Sequence, residues 1–377
     1  LRARAGDGLR VLRGPCMGHC DSAPVVEVGR SCLGHASADA VIEAAAAAAK
    51  KQAGRTGQGP AALPDYEELE AYRAAGGYAL LEACRAGERG ADELLSTLAA
   101  SGLRGMGGAG FPVARKWELV RRGPKPRMLV INADEGEPGT FKDRFYLERE
   151  PHRFLEGMLV AAWAVEAESS SIYLRDEYPA VRAILLREIQ RLEAAELLRR
   201  GSVQLRRGAG AYVCGEESAM LESLEGRRGL PRHRPPFPAE AGLFGRPTLV
   251  HNVESVYWVR DIVEKGADWF AGQGRRGSLG LRSFSVSGRV RHPGVKLAPA
   301  GISAKELIEE YCGGMQEGHS FKAYLPGGAS GGMLPASLAD LPLDFGTLEE
   351  HGCSVGSAAL IVLSDRDRLR DVVRGLL

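Results

Sequence analysis

From Val113 to Arg206, short apolar runs alternate with amphipathic stretches, and this alternation limits the possible folds more than any other feature. Behind Pro112, Val113 to Arg122 carries helical periodicity. Met128 to Asn132 reads as a short strand, Phe154 to Ala167 as an apolar helix and Ser171 to Leu174 as a second strand. Tyr178 to Leu198 reads as a long amphipathic helix, and Val203 to Arg206 as a third strand. Strand and helix in turn build an α/β layer, and ligands of such layers gather at the strand ends. Those ends are chemically loaded here. The first delivers Asn132, Asp134, Glu135 and Glu137, another leads to Gly215-Glu216-Glu217, and Asn252 closes a further apolar run. Solvated loop acids are the ordinary explanation for one such cluster, but three strand ends carrying acceptors and amides favour a ligand site.

Just before this layer lies Gly105-Met-Gly-Gly-Ala-Gly110, after a helix expected over Ala91 to Ser101 and stopped by Gly102. Glycines let backbone N–H groups approach an anion without Cβ obstruction, and a following helix N-terminus favours negative charge. The lead-in is helical, not a strand, and no Gly-Lys-Ser/Thr follows. Both a dinucleotide fingerprint and a P-loop are therefore disfavoured. Carboxylates accept from hydroxyls, so the acidic loop suits a sugar or ribityl chain. Phe111 and Phe237, the latter in a stiff Pro235-Pro-Phe-Pro238 run, could flank a base, and Arg234 could meet a pyrophosphate.

The flanking regions have a different texture. Residues 1–50 read as a strand from Gly8 to Leu12, a cysteine turn, a strand from Val25 to Val28 and an alanine-rich helix through Lys50. Residues 51–85 read as a linker with a helical lead-in from Tyr66. From about residue 280, strands over Ser283 to Val290, Gly294 to Leu297, Lys322 to Leu325 and Ala358 to Leu363 form a compact β-rich module. Its one helix, Ser303 to Tyr311, has a serine cap. Asp365 to Leu377 begins a charged helix. Two or three compact units are expected from 377 residues, and a first residue other than methionine reads as a window on a longer polypeptide.

Composition narrows the function. With 49 basic and 48 acidic side chains and no basic block, nothing favours nucleic acid. No run of 18 apolar residues suggests a direct membrane span. Seven cysteines, odd in number and mostly scattered, point to a reducing, cytoplasmic setting. Cys16 and Cys20 cannot complete a metal or cluster site alone and read as a structural pair; no metal ligand set is expected in this window. No Ser-His-Asp set or HExxH occurs, so no side chain is expected to be catalytic, and a cofactor would perform the chemistry.

Five motifs then follow in order over roughly residues 100–260: GMGGAGFPVARKW from Gly105, NADEGEPGTFKDR from Asn132, GAGAYVCGEESAMLESLEG from Gly208, RPPFPAEAGLFGRPT from Arg234 and HNVES from His251. Together they strongly resemble the flavin-bearing, NADH-dehydrogenase (51 kDa) subunit of respiratory complex I and its soluble relatives. The resemblance implies an FMN- and NAD(H)-binding α/β domain over 86–275 and a soluble-ligand-binding β-grasp domain over 276–363. It also implies a thioredoxin-like fragment over 1–50 and the start of a C-terminal helical, iron–sulfur bundle over 364–377.

By motif, Gly105, Gly107, Gly108 and Lys116 would surround the FMN phosphate and neighbouring groups. Asn132, Asp134, Glu135, Gly215, Glu216 and Asn252 would meet the ribityl chain, phosphate or ring edge. Phe111, Glu137, Tyr212, Glu217, Arg234 and Phe237 would line the NAD(H) side, with Glu137 and Glu217 orienting the hydride transfer. A [4Fe–4S] motif is expected beyond the C-terminal end. The implied partners are a thioredoxin-like [2Fe–2S] γ subunit and a molybdenum- and iron–sulfur-containing α subunit, because the β subunit of a soluble NAD-dependent formate dehydrogenase is the preferred assignment. The NADH-binding subunit of complex I, the diaphorase subunit of an NAD-linked hydrogenase and a redox-inactive structural or binding subunit are the alternatives. Against complex I sequences, Met106 replaces a common arginine, His251 the first of two asparagines, and Arg234 a frequent lysine.

Overall fold

A computed structural model describes residues 9–12, 14, 16–29, 31–52 and 63–376. Strands β1 (Val26–Val28) and β2 (Ser31–Leu33) form an antiparallel hairpin, followed by a helix over Ala38–Gln52. No strand occurs at residues 9–12, and Gly8 lies outside the described residues. A strand needs a partner, and β1 pairs with β2 through a turn at Gly29, whose φ is +67°. The hairpin unit docks by its cysteine turn: the Arg175 guanidinium donates to the Cys16 carbonyl, and Arg144 reaches His19 (2.9 Å) and Asp21 (3.3 Å).

The central layer is a sheet of four parallel strands in the order β5-β4-β3-β6, namely β3 (Arg127–Ala133), β4 (Ala167–Leu174), β5 (Val203–Arg207) and β6 (Thr248–Asn252). Two successive crossovers carry the chain outward from β3, and the third brings it back to β3's other side. Strand order therefore reverses between β3 and β6, the place where open α/β sheets hold ligands. In β3, Leu129 and Ile131 pack into one hydrophobic cluster with Trp117 and Phe154, while Val130 packs into another with Met220 and Val250. Burial of both faces is what a parallel sheet requires.

Several helix limits match the sequence pattern. Val113–Arg122 is helical as expected, and the helix over Ala91–Ala100 stops before Gly102, whose φ is +71°. Others shift. The apolar helix runs over Pro151–Ala164, because proline is preorganised for the first helical turn and Glu166, at φ +54°, ends it. The helix over Lys142–Arg149 was not foreseen: its sequence is mostly charged, yet Lys142, Asp143 and Arg144 are all buried.

The second sheet, in the order β10-β9-β11-β7-β8, contains β7 (Leu281–Gly288), β8 (Gly294–Pro299), β9 (Phe321–Leu325), β10 (Leu334–Pro335) and β11 (Ala359–Ser364). β7 and β11 run parallel, and the other neighbours antiparallel. Phe284, Val286, Leu307, Tyr324, Leu360 and Val362 form its core. Ser303 caps the following helix with reciprocal bonds to Glu306, from Glu306 N at 3.2 Å and to its carboxylate at 2.9 Å. The two sheets are stitched together. Phe141 N donates to Ser285 Oγ (3.0 Å), Ser283 N to Glu254 Oε1 (2.9 Å), and Thr140 Oγ1 bonds Ser357 Oγ at 2.6 Å. Among the described residues, no helix is long and apolar enough to cross a membrane.

Candidate functional site

The carboxyl ends of β3 and β6 set the geometry. Asn132 and Asn252 are register partners, so their side chains leave the sheet on the same face. Asn132 Nδ2 donates to Gly215 O (2.8 Å), and its Oδ1 accepts from Asp134 N (3.1 Å), which ties the acidic loop to the segment after β5. Asn252 Oδ1 accepts from Glu254 N (3.0 Å) and Lys142 Nζ (3.3 Å), while its Nδ2 donates to Asp143. The amide of Asn252 is thus held in one orientation.

Against this edge lies the glycine loop. Gly105 N donates to Phe111 O (2.8 Å), closing the loop on itself, and Met106 N donates to Ser255 Oγ (2.9 Å). Met106 is buried in the main core, which gives the loop an apolar anchor. At Gly107 a Cβ would stand 3.2 Å from Asn252 Cβ, so the loop packs tightly on that side chain. Gly108 has φ +117°, a conformation few other residues adopt. Lys116, on the helix that follows, donates to Val250 O (3.1 Å) and lies 3.5 Å from Glu217. A small-residue loop, a lysine and two fixed amides therefore face one another across the reversal point of the sheet.

Asp134 is 8% exposed, and its Oδ2 has no hydrogen-bond partner among the described residues. Burial, opposed by the Arg175 charge, pushes its pKa up to about 6. An orphaned, buried acceptor at this sheet edge fits a hydroxyl-bearing ligand. The folded chain binds more protons than the unfolded chain between the ordinary carboxylate pKa and about 6, so this group's contribution to stability falls as pH rises through that window. Asp134→Asn is expected to stabilise the ligand-free chain at pH 7 by about 1–3 kcal/mol, an advantage that fades at about pH 4. Urea denaturation at both pH values checks this; a variant less stable than the parent at pH 7 would refute it.

Other predicted residues have partners within the protein. Glu135 is buried, and its oxygens accept from Asp143 N (2.8 Å), Arg144 N (3.2 Å) and Tyr178 OH (3.0 Å). Three of its roughly four acceptor directions are thus used within the protein, where they hold the start of the Lys142–Arg149 helix. Burial raises its pKa, with the Asp143 charge adding to the effect. Glu216 caps the helix over Glu217–Leu224, accepting from Ser218 N (3.0 Å) and Ala219 N (2.9 Å), and its other oxygen pairs with Arg234. Although burial alone would raise its pKa, those bonds lower it. Arg234 also lies 3.4 Å from Glu217. This chain of charges runs from Arg234 through Glu217 to Lys116.

A cleft of about 410 Å³ opens beside Asp134 and is lined by Glu137, Arg175, Tyr212, Ser330 and Cys16, among others. Tyr212 OH donates to Glu137 Oε2 at 2.6 Å. Phe111 and Phe237 stand outside this lining as exposed rings, at 37% and 52%. Arg175 and Ser330 were missed by sequence reasoning. Arg175 follows β4 at the same sheet edge as Asp134, so the strand-end argument could have found it. Ser330 lies in Pro326-Gly-Gly-Ala-Ser-Gly-Gly332, a second glycine-rich run within the β module. His251, by contrast, belongs to the core: burial, with the Lys116 charge, pushes its pKa well down, and its Nε2 accepts from Trp117 Nε1 at 2.7 Å.

Residues 98–261 match the family model described as the Nuo51 FMN-binding domain. One NADH-quinone oxidoreductase polypeptide of Rhizobium meliloti (strain 1021) is 46% identical over 314 residues, which cover 80% of this chain and 74% of the relative. The mitochondrial NADH-ubiquinone oxidoreductase 51 kDa subunit of Neurospora crassa is 44% identical over 303 residues, 76% of this chain and 61% of that relative. In the crystal structure of an air-oxidized NAD+-reducing [NiFe]-hydrogenase, one chain superposes with a TM-score of 0.80 at 34% identity. That match covers 96% of this chain and 62% of the hydrogenase chain, so this chain spans less than two thirds of it.

Proposed function

This chain belongs to the 51 kDa family of NADH-quinone oxidoreductases, and from that premise we propose that it binds FMN and NAD(H) and works as the diaphorase subunit of a soluble NAD-linked oxidoreductase. The observation that carries the reading is the sheet edge, where Asn132 and Asn252 are register partners with fixed amides, the glycine loop approaches Asn252 closely, and one buried Asp134 oxygen is left unpartnered. Gly105, Gly107, Gly108 and Lys116 would hold the FMN phosphate, and Asn132, Asp134, Gly215 and Asn252 its polyhydroxyl chain and ring edge. Bound there, FMN supplies hydride exchange with the nicotinamide and single-electron exchange with iron–sulfur centres.

The remaining work is positional. Glu137, held by Tyr212, faces the cleft and would orient the nicotinamide end of NAD(H). Arg234 and Glu217 offer a cation and an acceptor for its pyrophosphate and ribose, while Phe111 and Phe237 present rings for the adenine. Orientation of this kind lowers a barrier without any side chain exchanging a proton.

For electron exchange we favour partner subunits bearing iron–sulfur clusters, a [2Fe–2S] γ subunit and a molybdenum α subunit that oxidises formate. A further [4Fe–4S] site would lie in residues following this sequence, and the assembly would reside in the cytoplasm. Hydrogen is the second reading for the donor. It is favoured by the hydrogenase match, whose 96% coverage leaves about 15 residues unmatched and so extends into the N-terminal hairpin unit.

Reconstitution with FMN should give a flavin absorbance that bleaches on adding NADH; a colourless protein would end the redox reading. Glu137→Gln should retain FMN but weaken NADH binding about tenfold or more, because a charge-assisted bond is lost. Stopped-flow reduction of the bound flavin measures it, and loss of FMN with normal NADH affinity would contradict the assignment.

A further inference from the structure

The geometry assigns Ser330, on a loop of the second sheet, as a positioning residue for the nucleotide site in the first. It acts by fixing the carboxylate of Glu137, so this inference rests on the reading of Glu137 given above. The loop follows β9, and its Ala329 and Ser330 line the same cleft as the acidic loop. Ser330 N donates to Glu137 Oε1 at 2.8 Å and Ser330 Oγ to Oε2 at 2.8 Å, one residue gripping both oxygens. Tyr212 OH adds its bond to Oε2, and Ala329 N donates to Pro138 O at 3.1 Å. A carboxylate has about four lone-pair directions. Three are taken, and the open one, on Oε1, is fixed in direction for an incoming ligand donor.

The backbone is built for this approach. Gly328 has φ +83°, and a Cβ there would fall 2.7 Å from Glu137 Cγ. At Gly331 a Cβ would fall 2.5 Å from Gly327 Cα, so the turn closes only with glycine at that point. Gly328 N donates to Ala359 O (2.9 Å) and Ser354 N to Gly331 O (3.0 Å), which anchors the loop to its own sheet. The second domain thereby contributes to nucleotide affinity without needing to touch the flavin.

The test uses the full chain loaded with FMN. Calorimetric titration with NAD+ and steady-state NADH oxidation with ferricyanide are compared for Ser330→Ala, Ser330→Thr, Glu137→Gln and the Glu137→Gln/Ser330→Ala double variant. Ser330→Ala should weaken NAD+ binding and raise the KM for NADH about three- to tenfold, as loss of one hydrogen bond predicts. kcat, FMN content and thermal midpoint should stay at parental values, and Ser330→Thr should restore affinity. In the Glu137→Gln background, Ser330→Ala should add little, because its target is already changed. Parental affinity in Ser330→Ala alongside a weakened Glu137→Gln would overturn this inference alone. An undiminished extra loss in the double variant would overturn it too, by showing that Ser330 acts independently of Glu137. Parental affinity in Glu137→Gln would overturn the reading of Glu137 and this inference with it.

Discussion

Lys142→Met is expected to cost about 3–5 kcal/mol of stability at pH 7, because it leaves buried carboxylates without their cation. Lys142 is 1% exposed, lies 2.8 Å from Asp143 and 2.9 Å from Glu254, and also donates to Asn252. Burial alone would lower its pKa, but the Asp143 and Glu254 charges overcome that and raise it. Its stabilising contribution is therefore fully present below the unfolded lysine value and is lost only as pH rises through the raised folded value. Methionine keeps the volume and deletes the charge. Asp143, already raised chiefly by burial, then takes up a proton more readily, so the deficit should shrink toward acid pH. Denaturant titrations at pH 5 and 7 measure both effects. Since the same ammonium steadies Asn252, cofactor affinity should fall as well. Equal stability of variant and parent at pH 7 would show that the ion cluster does not support the fold.

Gly157→Ala should be as damaging, costing about 4 kcal/mol or more, with no charge involved. Gly157 lies inside the Pro151–Ala164 helix where it crosses the short helix Val253–Tyr257. A Cβ there would sit 1.9 Å from Val256 O, a distance no relaxed contact allows. Alanine normally favours a helix over glycine by about 1 kcal/mol, so propensity alone predicts the opposite sign. A thermal or urea midpoint at or above the parent's would show that the helices can part without penalty. Val256 directly follows the Asn252–Ser255 turn, so the displacement would reach the site as a lowered FMN affinity.

Much of this molecule could be read from its residues because local and long-range signals agree. Val113–Arg122 has helical periodicity and buries Trp117 and Val120 as that period predicts. Met128 to Asn132 has an apolar run and is a central strand buried on both faces. Where polar residues are buried, the signal disappears. Lys142, Asp143 and Glu254 look like surface residues in the sequence, yet they are interior, with one ammonium shared between two carboxylates. Glu135 adds to this: nothing in the acidic loop's sequence signals that its carboxylate also turns inward to a helix start. Ser330 was hidden by distance, since nothing local to it announces Glu137, 193 positions earlier.

The pairing of Asn132 with Asn252 makes the hydrogen-bond ladder between β3 and β6 a counting device. Parity decides which side of the sheet each amide faces, and a slip of one residue in either strand would send one of them to the opposite side. Length variation during evolution is therefore open to the loops around this edge but closed to the strands themselves. The two asparagines can face one recess only while the number of residues along each strand stays in step.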